Sequence, residues 1–246
     1  SDPADGVDHQ LYVLRKKARE RALEIVGHLP NDARPEEIGK PNEALFAVRF
    51  AGNRAYAVTF QRTDPLYVID LTNPADPFIG GQLQLPGFSE LLHPVTNDLL
   101  LGLGTDTGRF KLELFDTSVL EQPQSRGAIA LGNVTSSSTV LYDRHALTYL
   151  PGTDSDRLAI PASISTPDPI QGYSWSSALH QFEILGKQSA ASASLQETGA
   201  VSPPSAVETI SSIQRSFISG DTVYYIREGN VYGSLWASPS QVNGPF

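Results

Sequence analysis

One stretch, Ala44–Pro86, limits what the chain can fold into more than any other. It reads ALFAVRFAGNRAYAVTFQRTDPLYVIDLTNPADPFIGGQLQLP and divides into four short apolar-rich runs, each followed by a turn signal. Ala44–Ala51 places Phe46, Val48 and Phe50 at alternate positions and stops at Gly52-Asn53. Ala55–Phe60 is rich in aromatic and β-branched residues, which pack well on a pleated surface. Thr63-Asp64-Pro65 breaks the run, because proline lacks a donor and restricts the residue before it. Leu66–Leu71 is a third run, closed by Thr72-Asn73-Pro74 and Asp76-Pro77, and Phe78–Leu85 is a fourth. No window of adequate length has a helical period. Four antiparallel strands in about 43 residues is the size of one propeller blade.

The pattern recurs. Gly52-Asn53-Arg54-Ala55-Tyr56-Ala57-Val58 resembles Gly220-Asp221-Thr222-Val223-Tyr224-Tyr225-Ile226, with weaker copies at Thr96–Leu100 and Asp143–Leu147. A second element, Val68-Ile69-Asp70-Leu71-Thr72, is echoed by Leu114-Phe115-Asp116-Thr117-Ser118. In both, an aspartate at a strand end precedes Thr or Ser. Such a carboxylate bonds its own turn backbone, so Asp70 and Asp116 are expected to be turn formers and not catalysts.

An all-β fold follows, a β-propeller of four-stranded antiparallel blades. Residues 1–43 are expected to end a preceding blade, with strands Leu11–Leu14 and Leu23–Leu29 around a charged tip, Arg15–Arg21. Arg15–Val26 also has an amphipathic helical reading, with Ala18, Ala22, Leu23 and Val26 on one side. The hairpin is preferred because no helix cap follows LYVL. Residues 44–86 and 87–132 are one blade each. Residues 133–198 are a blade with an insertion at 165–176, and 199–246 a partial last blade after a Ser/Ala/Pro-rich linker at 199–205. In the fourth blade SSTVLYD and HALTYLP are expected as strands. Two strands at the start and three at the end exceed one shared blade, so the chain is expected to be the C-terminal part of a larger propeller.

The runs VRFAGNRAYAVTFQRTDPLYVIDLTNPADP and LPGFSELLHP, then LYDRHALTYLPGTDSDRLAIP and IQRSFISGDTVYYI, resemble the secreted bacterial and archaeal proteins with a C-terminal β-propeller distantly related to WD repeats. The resemblance covers most of residues 44–236. It implies a propeller exported to the cell envelope or beyond, and supplies no catalytic residues.

Composition narrows the chemistry. A net charge of −9 argues against a nucleic-acid surface, which wants a basic stripe, and against anionic membrane. No apolar run reaches membrane-spanning length. Zero cysteine removes disulfides, thiolate zinc sites and a thiol nucleophile. Residues 1–10 are expected to be disordered. Asp2, Asp5 and Asp8 around Gly6 lack the alternation and closing glutamate of a calcium loop and read as a solvated terminus.

Three residues are candidate ligand contacts. His93, in a first strand, would face a central channel or bond its own turn. Tyr173 and Trp175, in the insertion, suit protein or sugar contacts, against packing onto their own blade. His145 and His180 are expected in strands of one blade, with Asp143 or Glu183 as partners and no metal-ligand spacing. Asp64, Glu90, Asp143 and Glu183 supply carboxylates that nothing in the sequence pairs for glycoside chemistry. No nucleophile elbow is present. Gly102–Gly108 is expected in a hairpin turn, without the following helix that phosphate binding wants. The expected function is a non-enzymatic exported propeller that binds a protein or glycan at the cell envelope, with no cofactor and no metal. A channel-sited polysaccharide lyase or hydrolase is the alternative.

Overall fold

In a computed structural model of the chain, residues 8–40, 43–60, 64–204 and 214–246 are described. Asp2, Asp5, Gly6 and Arg62 lie outside them, as does the side chain of Asp64. The regular structure of the described residues is almost all strand, with only three short 3-10 turns. β1 (Leu11–Lys16) and β2 (Leu23–Leu29) form a two-stranded antiparallel sheet, so residues 15–26 are a hairpin and not a helix. Arg15 pairs with Glu24 at 2.7 Å and Lys17 with Glu20 at 3.1 Å; both pairs are solvent-exposed and add little stability.

The second sheet holds β3 (Ala44–Ala51), β4 (Arg54–Phe60), β5 (Asp64–Asp70) and β6 (Phe78–Leu85). The third holds β7 (Phe88–Pro94), β8 (Leu99–Asp106), β9 (Arg109–Asp116) and β10 (Gln124–Leu131). In both, sequence neighbours are sheet neighbours, the meander order of a propeller blade. The fourth sheet runs β11 (Ser137–Ser138), β13 (Ser155–Asp168), β14 (Gly172–Leu185), β15 (Ser194–Val201), with β12 (Thr148–Leu150) also on β13. The last has three strands, β16 (Gln214–Ser219), β17 (Thr222–Arg227) and β18 (Asn230–Leu235). Among the described residues no helix is long and apolar enough to cross a membrane.

Several local expectations need correction. SSTVLYD and HALTYLP are not full strands. Thr139–Leu141 and Arg144–Ala146 are 3-10 turns, because Ser138 Oγ accepts from Val140 N and Asp143 Oδ1 from His145 N. These side chains give the backbone a local alternative to the ladder. The Asp143–Leu147 repeat copy is therefore not a hairpin, and His145 sits on a turn. The insertion at 165–176 is no separate loop: β13 and β14 stay paired out to Asp168 and Gly172. β15 runs to Val201, three residues into the expected linker, because Val201 is buried with Leu179, Tyr225 and Trp236. Gly102 and Gly104 lie within β8, where a Cβ on Gly102 would stand 2.6 Å from Ser89 Oγ and 2.7 Å from the Phe115 ring. Residues 8–10 are anchored: His9 Nε2 donates to the Glu43 carbonyl at 2.8 Å.

The chain divides into two compact units, Ser1–Gly102 with Phe115–Ser125, and Leu103–Leu114 with Arg126–Phe246. In the first, alternation along β4 and β5 serves two cores. Tyr56, Val58, Leu66 and Val68 pack with Leu92, Leu100 and Phe115, while Ala55, Ala57, Tyr67 and Ile69 pack with Leu29 and Ile38. Each large side chain buried this way contributes roughly 1.5–3 kcal/mol. In the second unit Ala159, Leu179, Val201, Val223, Tyr225 and Trp236 form one cluster.

The sequence repeats mark a recurring clasp. In three sheets the residue after the third strand donates its N–H to the carbonyl of the last residue of the first hairpin turn. The bonds are Leu71 to Asn53, Thr117 to Asp98 and Trp236 to Asp221, at 2.8, 2.8 and 2.7 Å. Asp70 and Asp116 are turn formers: Thr72 N donates to Asp70 Oδ1 at 2.8 Å, and Ser118 N to Asp116 Oδ1 at 2.9 Å. Two such turns also receive an arginine from the preceding sheet. Arg54 Nη1 donates to the Asn97 carbonyl at 3.0 Å, pairs with Asp98 at 3.2 Å, and reaches the Thr117 carbonyl at 2.8 Å. Arg157 Nη1 donates to the Gly220 carbonyl at 3.3 Å and pairs with Asp221 at 3.1 Å.

Candidate functional site

The β13–β14 hairpin is the longest pair of strands, 14 residues each. Its base is held by apolar residues: Leu158, Ile160, Leu179, Phe182 and Ile184 are fully buried. Toward its tip the sequence turns polar, with Ser165, Thr166, Ser174, Ser176 and Ser177 alternating with aromatics. Ser165 fixes the outer part of the hairpin to the loop before β11. Its hydroxyl donates to the Val134 carbonyl at 2.7 Å and its N–H to Ser136 Oγ at 3.0 Å. The tip closes on Asp168, whose Oδ1 accepts from Ile170 N and Gln171 N, both at 2.8 Å. The Gln171 and Ile170 amides hold this carboxyl below its ordinary range. Gly172 completes the turn at φ +82°, a conformation that favours glycine.

Tyr173 and Trp175 lie two residues apart on β14 and so share a face. Their ring centroids are 6.2 Å apart with planes tilted by 48°. Tyr173 is 42 % exposed and Trp175 47 %, so neither is absorbed by its own sheet, and Ile170 at the tip is almost fully exposed. From Leu158 to Leu185 there is no lysine or arginine. The stretch itself therefore offers ring surface and hydroxyls and no positive charge of its own, which suits uncharged partners; the guanidinium of Arg227 reaches its base, donating to the Ser177 carbonyl at 3.3 Å.

The other candidates lie elsewhere. His93 is half-buried in β7, an edge strand of the third sheet. Glu90, on the same strand, has its carboxyl pushed up by burial. His145 does meet Asp143, at 3.1 Å, and is exposed; Asp143 also pairs with Arg215 at 2.6 Å. The His145 amide and the Arg215 guanidinium hold the Asp143 carboxyl below its usual range. His180 pairs not with Glu183 but with Glu197, at 2.8 Å. Glu183 instead accepts from Trp236 Nε1 at 2.8 Å. No group of three or more His, Asp or Glu that could hold a metal occurs among the described residues.

Two polar sites escaped the sequence reading. Lys111 and Glu113 form a buried pair at 2.9 Å on β9. Asp156 is fully buried and accepts from Gly152 N at 2.9 Å, from the Tyr149 hydroxyl and from Lys187 Nζ. Burial and the Asp156 carboxylate push the Tyr149 hydroxyl far above its ordinary pKa. Nothing in FKLELFD or SDRL marks these residues as interior, since alternating polar positions read as a wet face.

A family model described as a beta propeller domain matches residues 2–237. The chain is 39% identical over 142 residues to an uncharacterized protein of Archaeoglobus fulgidus, a match covering 58% of this chain and 21% of that protein. It is 40% identical over 121 residues to an uncharacterized protein of Methanocaldococcus jannaschii, covering 49% and 18%. The chain thus spans about a fifth of the length of the curated relatives it matches. Among solved structures, TolB from Acinetobacter baumannii is similar at 15% identity and a TM-score of 0.29, covering 96% of this chain and 63% of that one.

Proposed function

The chain belongs to the beta propeller domain family, and from that premise we propose that it is a non-enzymatic binding or scaffold module that presents the β13–β14 hairpin to a protein or glycan at the cell envelope. The observation that carries this reading is the half-exposed Tyr173–Trp175 pair beside the exposed Ile170, on a stretch, residues 158–185, without lysine or arginine. Aromatic anchors of this kind supply much of the energy of an interface. Export to the envelope is supported by the sequence resemblance.

The chain is also read as the C-terminal part of a larger propeller. Leu14 and Ile25, paired in register on β1 and β2, are both exposed, as a sheet face awaiting a further blade would be.

The test is a screen of the purified protein against glycans and envelope extracts, repeated with Tyr173→Ala and Trp175→Ala. A captured partner should bind about 30-fold more weakly to each variant, the equivalent of about 2 kcal/mol. Capture that both variants leave unchanged removes the hairpin from the function, and turnover of a glycan removes the non-enzymatic reading.

A further inference from the structure

Within the first unit, the first strand of one sheet covers the first two strands of the sheet before it. β7 lies against β3 and β4, and Leu92 joins Ala47, Tyr56 and Val58 in one cluster. The other face of the second sheet is covered only in part. Ala55 and Ala57 of β4, with Tyr67 and Ile69 of β5, meet Leu29 and Ile38. Val48 and Phe50 stand opposite Ala57 and Ala55 in register and therefore share that face. They are nevertheless 47 % and 61 % exposed.

The sheet that should cover them has two strands, where the next two sheets have four. Gly27 of β2 sits so close to the second sheet that a Cβ there would stand 2.3 Å from the Pro74 carbonyl. β1 and β2 thus occupy the positions of the two outer strands, over the β5–β6 side. Among the described residues β1 pairs with β2 alone, so its other edge presents unpaired backbone donors and acceptors.

The arginine clasps point to the same gap by a separate route. Arg54 comes from the second strand of its sheet and grips the Asn97-Asp98 turn of the next. Arg157, from the second strand of the fourth sheet, grips Gly220-Asp221 in the same way. The equivalent turn of the second sheet is Gly52-Asn53, and no described arginine reaches it. The strand that would carry such a donor is the second strand of the first sheet, the one that would lie beside β1.

We propose that two antiparallel strands of the same polypeptide, from outside residues 1–246, pair with the free edge of β1, cover Val48 and Phe50, and bring a hydrogen-bond donor to the Gly52-Asn53 turn. This rests on the larger-propeller reading above. The occupant belongs to the same polypeptide because the relatives carry this stretch as about a fifth of their length, which leaves ample chain to supply two strands. An intramolecular hairpin also docks at an effective concentration that a separate partner does not match.

Residues 1–246 contain no cysteine, so with any cysteine elsewhere in the polypeptide replaced by serine, one introduced thiol reports one position. In the full-length polypeptide, Val48→Cys and Phe50→Cys should react with a maleimide about a hundredfold more slowly than a Tyr142→Cys control, at every protein concentration, because access then requires local opening. In the unsubstituted protein, amide hydrogens of residues 11–16 should exchange slowly. Labelling and exchange as fast as at the control overturn the proposal and leave a larger propeller standing. Protection that disappears on dilution overturns it too, because the cover is then a second copy. A full-length polypeptide with no further strands sinks the larger-propeller reading and this inference with it.

Discussion

The two arginine clasps are built to one plan and differ in how much they bury. Arg54 is largely enclosed and satisfies three acceptors at once: the carbonyls of Asn97 and Thr117 and the Thr117 hydroxyl. Tyr56 reinforces the spot by sharing a hydrogen bond with that same hydroxyl at 3.2 Å. Arg157 has one carbonyl partner at 3.3 Å, stacks over the Trp236 ring at 5.1 Å, and pairs with an aspartate that is 83 % exposed. The same turn motif thus supports a buried polar junction in the first unit and a solvated one in the second. Shared sequence marks the junction, and burial sets its strength.

The largest effect should follow from removing the buried arginine. Arg54→Ala leaves the part-buried Thr117 carbonyl and hydroxyl without this donor, while water replaces it at the exposed Asn97 carbonyl, and an unsatisfied buried group costs about 1–3 kcal/mol. We expect a loss of about 2–3 kcal/mol, read as a fall in melting temperature of about 4–12 °C for a chain of this size. Arg157→Ala should cost about 1 kcal/mol, because its pair with Asp221 is screened, its second pair, with Glu183, is long at 3.9 Å, and its guanidinium is partly exposed where it meets the Trp236 ring. Equal losses in denaturant titrations of the two variants would break the distinction between the clasps.

These junctions also show how far the sequence could be read. Strand positions in the second and third sheets follow from alternation and turn chemistry, because each run is short and each break carries Gly, Pro, Asn or Asp. Asp70 and Asp116 were legible because a carboxylate two residues before a Thr or Ser amide forms a local turn, needing no knowledge of neighbours. Arg54 was not legible. Its partners are 43 and 63 residues away, and an arginine after Gly-Asn looks like any exposed turn residue. Lys111 and Glu113 failed for a related reason: both faces of β9 are buried, so its polar positions are interior. Ser138 and Asp143 misled in the other direction, since capping overrode the strand propensity of TVLYD and HALTY. Of the candidate site, the exposure of Tyr173 and Trp175 was foreseeable from a polar, Pro- and Gly-containing stretch. That the stretch is ladder and not loop was hidden, because Thr166 and Ser174 carry no apolar alternation.

The tyrosines of the repeat extend the comparison to pH. Tyr56 is buried, whereas its sequence counterpart Tyr224 is only half-buried and stacks on Phe217 at 4.6 Å. In the last sheet the buried ring is the next residue, Tyr225, whose hydroxyl donates to Gln214 Oε1. Burial pushes the Tyr225 hydroxyl well above its ordinary value of about 10. A raised folded-state pKa favours the neutral form, so its contribution is fully present below about pH 10 and is lost as pH rises beyond that. Tyr225→Phe should cost about 1 kcal/mol at neutral pH for the lost hydrogen bond. The variant should then lose less stability than the parent between pH 10 and 12. A parallel decline of both in that range would assign the alkaline loss to other groups.

The smallest effect concerns the aspartates that face the two arginines. If burial of the arginine and not the ion pair sets the strength of a clasp, the carboxylates should matter little. Asp221 is mostly solvated, so Asp221→Ala should change stability by no more than about 0.5 kcal/mol. Asp98 is 48 % exposed and faces a guanidinium already held by carbonyls, so Asp98→Ala should cost only slightly more, about 0.5–1 kcal/mol. Its backbone carbonyl, which accepts from Thr117 N, is untouched by the substitution. A double-mutant cycle of Arg54 with Asp98 isolates the pairwise term. A coupling near 0.5 kcal/mol, unchanged between low and high salt, would leave the carbonyl bonds as the source of the clasp. A coupling above about 2 kcal/mol that collapses in salt would instead make the clasp an ion pair, and the exposed Arg157–Asp221 copy should then weaken with salt even more steeply.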